Sequence, residues 1–185
     1  GSSLFEEFLS SLGTHTSLAL CGDDVFTGGL DRTSRRDGEF ALLWGSSLAQ
    51  CVFFVGTLMP NDAGEQINKK RFIGNSYVKI VYSDSDAPFT LDSLSGQFNL
   101  IVVLIRPLPN RYFRVSVLRA PSVPVLGPIE DTAVIPMKSL SLMVRRIVID
   151  SDIAAMIAVS GERNYSSNWH DRLKQIRNML KRHQA

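Results

Sequence analysis

Apolar positions along the chain switch between helical and strand spacing often enough to outline most of the elements. Phe5, Phe8, Leu9 and Leu12 recur at helical spacing, and Gly13 follows as a stop. Ser3-Leu4-Phe5-Glu6 before them is a capping-box pattern, the Ser3 hydroxyl accepting a backbone N–H while Glu6 reaches back. Glycines and charges dominate from Gly22 to Gly38, which predicts a loop with a short strand before it. Glu39 to Trp44 and Ala49 to Thr57 are rich in apolar, β-branched and aromatic residues and read as strands. The second is apolar enough to expect burial on both faces, with Pro60 ending the run. A short polar helix is expected from about Glu65 to Phe72.

Three further strands are predicted at Tyr77 to Tyr82, Phe98 to Arg106 and Arg111 to Leu118. The last two form a hairpin about Pro107-Leu108-Pro109-Asn110. Pro121 to Pro136 holds four of the eight prolines and reads as a stiff, extended loop. Leu140, Met143, Val144 and Ile147 mark a helix, and Ser151 is placed to cap another carrying Ile153, Met156 and Ile157. A last helix is expected from Ser167 to His183, its stripe of Trp169, Leu173, Ile176 and Leu180 docked on the body of the protein. Lys174, Arg177, Lys181 and Arg182 lie around its other side, so an anionic membrane surface or calmodulin is the alternative use of that helix. The order of elements predicts an α/β fold, a mixed and largely antiparallel central sheet with packed helices, in one domain over residues 1–185.

Composition narrows the function classes. With 44% hydrophobic and 21% charged residues the chain is long enough to bury a core. A net charge of +2 gives no case for nucleic acid. Two cysteines, Cys21 and Cys51, fit a reducing, cytoplasmic setting better than a disulfide framework. No run reaches membrane-span length and no signal peptide is visible, so the Asn164-Tyr165-Ser166 sequon is not expected to carry glycan. Gly1-Ser2 has the look of an expression remnant, which implies a natural chain beginning earlier.

Candidate chemistry concentrates in Lys69-Lys70-Arg71-Phe72-Ile73-Gly74-Asn75, which runs into Tyr77-Val78-Lys79-Ile80-Val81-Tyr82. That order sets a cationic segment and one carboxamide at the mouth of a strand, where a rigid scaffold can aim a group outward. From the residues alone, Gly-Asn is also an ordinary turn dipeptide, and the three cations an ordinary solvated face. Gly28-Gly29 before Asp31-Arg32 is a tight loop rather than a nucleotide cradle, since neither a G-x-x-x-x-G-K-[ST] nor a G-x-G-x-x-G pattern is present. His15, His170 and His183 are scattered, no Cys/His spacing suits zinc, and no G-x-S-x-G elbow exists.

The Lys69 to Asn75 segment resembles the signature of the Rap/Ran-GAP family of GTPase-activating proteins. Phe26-Thr27-Gly28-Gly29-Leu30-Asp31, Thr57-Leu58-Met59-Pro60, and Ser95-Gly96-Gln97-Phe98-Asn99 with Ile101-Val102-Val103 extend that resemblance in order and spacing. So do Tyr165-Ser166-Ser167-Asn168-Trp169, Arg172-Leu173 and Ile176-Arg177, which point to the tuberin-type branch. The chain departs from the family at Phe72, commonly histidine, and at Ser76, commonly aspartate. The resemblance implies GTPase activation with Asn75 as a catalytic asparagine thumb, and Lys69, Lys70, Arg71 and Phe72 as GTPase-binding residues. Magnesium and GTP would belong to a small Ras-family GTPase, Rheb first among them, and the domain would need no cofactor or metal of its own. A hamartin-type partner for the whole protein, a role in TOR signalling and recruitment to endomembrane surfaces are implied in the same way. The alternative from another class is a module that binds a GTPase without accelerating it.

Overall fold

The computed structural model describes residues 2–60, 66–94, 96, 98–160 and 167–183; for 66–68, 167–172 and 182–183 this extends to the backbone only. Two sheets carry the architecture. β1 (Thr14–Ser17), β2 (Phe40–Gly45) and β3 (Gln50–Phe53) form an antiparallel sheet in that order. β4 (Val78–Tyr82), β5 (Ile101–Leu108), β6 (Tyr112–Arg119) and β7 (Thr132–Pro136) form the other, antiparallel except for the parallel pair β4 and β5. The α/β, mixed and largely antiparallel expectation holds, divided between two sheets.

α1 (Ser3–Leu12) buries Phe8, Leu9 and Leu12 as its spacing demands. Its cap is Ser2, whose side chain accepts from the Phe5 N–H, one residue earlier than the capping box placed it. Gly13 closes the helix and lies so near β2 that a Cβ would sit 2.7 Å from the Leu43 carbonyl oxygen. α3 (Met137–Ser160) is one continuous helix. Ser151 caps nothing; it is buried in mid-helix on the stripe of Leu140, Val144, Ile147 and Ala154. Small residues there let the helix lie close to its neighbours while the stripe passes through without a break. Arg145 on α3 donates to the Ser11 and Leu12 carbonyls at 2.7 and 3.0 Å, satisfying the end of α1. The principal core lies between these helices and the larger sheet, with Val103, Ile105, Phe113, Val115, Leu140 and Val144 fully enclosed.

Other differences from the sequence reading have simple causes. β3 stops at Phe53 and pairs with β2 alone, so it is a half-buried edge strand, not one enclosed on both faces. The hairpin turn is Pro109–Arg111, with Asn110 and Arg111 left-handed at φ 58° and 60°, and Pro107 and Leu108 stay in β5. Inside the proline-rich segment, Thr132–Pro136 pairs with β6 as an edge strand, where a proline costs no ladder hydrogen bond. α4 (Ser167–His183) forms as expected, but Leu173, Ile176 and Leu180 remain about half exposed, so that part of the stripe is not docked. Trp169 and Arg182 have no described side chains, and Glu65 and the sequon residues Asn164 to Ser166 lie outside the described residues.

Candidate functional site

α2 (Gln66–Asn75) is longer than its pattern indicated and ends on Asn75, so the carboxamide stands on the last helical residue instead of in a turn. Two residues, Ser76 and Tyr77, separate it from β4. The Asn75 side chain is exposed and takes no hydrogen bond from the described residues. Ser76 Oγ donates to the Phe72 carbonyl at 2.8 Å, closing the last turn. Lys79 Nζ donates to the Ser76 and Phe98 carbonyls at 2.8 and 2.9 Å. Gly96 lies against the same turn, since a Cβ there would meet the Gly74 carbonyl oxygen at 3.3 Å.

The inner face of α2 is held by Phe72, which is 8% exposed and packs with Leu18, Leu30, Ala41 and Met59 in a second core cluster. Its ring lies 4.8 Å from that of Phe54, tilted by 37°. Phe72 therefore corrects the sequence expectation. It anchors the helix from within and is not presented to a partner, because Leu18, Leu30 and Phe54 close over it.

Arg71 falls on the same helix face as Asn75, four residues and about 6 Å earlier along the axis. Its guanidinium sits 3.5 Å from Asp37 Oδ2 and over the Phe72 ring, 4.4 Å from the centroid. Asp37 is buried and also accepts the Asp31 N–H at 2.8 Å, so it ties α2 to the loop between β1 and β2. That loop is fixed by Asp31, whose carboxylate accepts from the Ser34 hydroxyl, the Thr33 and Ser34 N–H groups and the Thr33 hydroxyl. Those bonds, the Ser34 hydroxyl foremost, hold its carboxyl far below the usual carboxylate range. Gly28 and Gly29 are left-handed at φ 62° and 85°, and a Cβ at Gly28 would collide with Val52 at 2.7 Å. Together the loop and the helix enclose an open polar basin of about 360 Å³ lined by Gly29, Asp31, Thr33, Ser34, Arg36, Asp37 and Arg71.

Of the other site candidates on α2, Lys70 is exposed and Lys69 half-buried. The arrangement thus joins Arg71 to the Gly28 to Asp37 loop, sets Asn75 about one turn further along the same helix, and withdraws Phe72. Two members escaped the sequence reading. Asp37 lay in an unremarkable charged loop. Lys79 broke an otherwise apolar strand run, which was a signal: a cation in such a run needs a specific partner. Among the described residues no cluster of three or more His, Cys, Asp or Glu could hold a metal, and no helix is long and apolar enough to cross a membrane.

Comparisons with known proteins bear on the family and the fold. The Rap/ran-GAP family profile matches residues 1–178. The solved GAP domain of TSC2 superposes with a TM-score of 0.76 at 31% identity, over 87% of each chain. The Ral GTPase-activating protein subunit alpha-1 of Mus musculus is 29% identical over 185 residues, 99% of this chain and 9% of its own length. The tuberous sclerosis 2 protein homolog of Schizosaccharomyces pombe is 28% identical over 194 residues, 98% of this chain and 14% of its own. The chain spans about a tenth of the length of these relatives, matching one region of much longer proteins. A profile match over nearly the whole chain and a shared fold at this identity show that the chain belongs to the Rap/Ran-GAP family.

Proposed function

We propose that this domain accelerates GTP hydrolysis by a small Ras-family GTPase, with Asn75 supplying a carboxamide in trans. The observation that carries the reading is the exposed side chain of Asn75, which takes no hydrogen bond from the described residues, on the final residue of a helix that Phe72 and Ile73 hold in a core. Hydrolysis needs a water in line with the γ-phosphorus and donors for charge gathering on the equatorial oxygens. A carboxamide accepts from that water and donates toward the phosphate with no proton transfer of its own. GTP and magnesium arrive on the GTPase. The two departures from the family pattern are absorbed structurally: Phe72 fills the core, and Ser76 closes the helix.

Likeness to the TSC2 GAP domain supports Rheb as the substrate, and likeness to a Ral GTPase-activating subunit makes Ral its rival. A hamartin-type partner would join the longer protein outside this region. Single-turnover hydrolysis by Rheb, Rap and Ral, with and without catalytic amounts of the domain, tests the proposal. Acceleration of Rheb above the other two is expected. Tight binding with an unchanged rate would establish a non-catalytic binding module instead.

A further inference from the structure

Lys79 interrupts the apolar run of β4, and the interruption is buried, with 6% of the residue exposed. Among the described residues no carboxylate pairs with it; its partners are the Ser76 and Phe98 carbonyls. Burial lowers the basicity of its amine, the sign of a charge held at a cost. The placement explains what the charge is for. Ser76 directly follows Asn75, and its carbonyl lies just past the end of α2, where backbone acceptors lack helical partners and the helix dipole is negative. The Phe98 carbonyl belongs to the stretch that follows Gly96, and the Phe98 ring meets Tyr77 edge-on at 5.6 Å.

We infer that Lys79 is a positioning residue for Asn75: its ammonium ties the chain just beyond the carboxamide to the stretch before β5, so that the carboxamide is offered in one pose. This inference rests on the proposed role of Asn75. Phe72 fixes α2 from inside one turn earlier, and Lys79 holds the chain just past its end.

The test compares Lys79→Met, which keeps the length of the stem and removes the donors, with Lys79→Gln, which keeps a donor amide. Both are made in the whole domain. For Lys79→Met the saturating single-turnover rate should fall about 10- to 100-fold while the half-maximal concentration stays within about twofold, since a displacement near 1 Å can cost on the order of 10²-fold in rate. Lys79→Gln should lose less. Asn75→Ala combined with Lys79→Met should be no slower than Asn75→Ala alone. A further loss by the full single-mutant factor would show that Lys79 does not act through Asn75 and would overturn the inference. Amide hydrogen exchange reads the same tie without any GTPase. The last amides of α2, those of Ile73, Gly74 and Asn75, should exchange at least about tenfold faster in Lys79→Met, with Val103 and Val115 unchanged. Unaltered exchange at those three amides sinks the tie whatever the hydrolysis assays return, whereas a parent domain that accelerates no GTPase sinks the proposed activity alone.

Discussion

Two side chains within one turn of α2 do opposite work. Asn75 is exposed and takes no hydrogen bond from the described residues, so truncating it breaks no bond among them. Asn75→Ala should keep the parent melting temperature and GTPase affinity while the saturating rate falls by roughly 10²–10³, the usual worth of one well-placed transition-state donor. Asn75→Asp should be equally inactive, since it exchanges a donor amide for an anion beside the phosphate. A soluble Asn75→Ala domain that binds normally and turns over at the parent rate would end the thumb assignment. Phe72 is the contrary case. Phe72→Ala leaves a void against Phe54 and Met59 and should cost about 3–5 kcal/mol of stability, seen as a lowered denaturation midpoint. Phe72→Leu should cost far less, and its activity should follow its folded fraction.

At the scale of elements, α2 and the loop between β1 and β2 form one unit through Arg71 and Asp37. In the proposed reading Lys69 and Lys70 steer an acidic partner, a contribution screened over about 8 Å at physiological salt. Replacing either with alanine should raise the concentration for half-maximal activity, with the difference shrinking as salt is added. Arg71→Ala should behave differently. It strips a guanidinium from a buried carboxylate and should lower stability by about 1–2 kcal/mol besides weakening docking, so urea denaturation separates it from its lysine neighbours. If Arg71→Ala abolished the saturating rate with stability and binding intact, Arg71 would be a catalytic arginine.

For the whole molecule, the pH response of stability should carry the mark of Asp31. Its folded carboxyl titrates below the ordinary value of 3.8, so the stability it confers is complete above that value and is lost as pH falls through the folded one. Asp31→Asn should be less stable than the parent at neutral pH, with the gap narrowing steadily as pH falls below about 4. Denaturation midpoints across that range decide the matter. A gap independent of pH would show that the loop is held by something other than the ionised carboxylate.

The sequence by itself determined everything that rests on local pattern. The stripes of α1, α4 and the first half of α3, the hairpin of β5 and β6, and the family signature around Asn75 were all legible, because spacing and turn chemistry act over a few residues. Only the tertiary structure decided what depends on neighbours distant in the chain. β7 is a strand because β6 offers it an edge, despite its prolines. α3 runs through Ser151 because the stripe that includes it is buried throughout. Phe72 faces inward because Leu18, Leu30 and Phe54 converge on it, and Leu173, Ile176 and Leu180 of α4 stay about half exposed although their pattern was that of a docked helix. Asp37 and Lys79 become supports of the Asn75 turn because long-range folding buries their charges beside specific partners, and burial is the one property that local sequence does not contain.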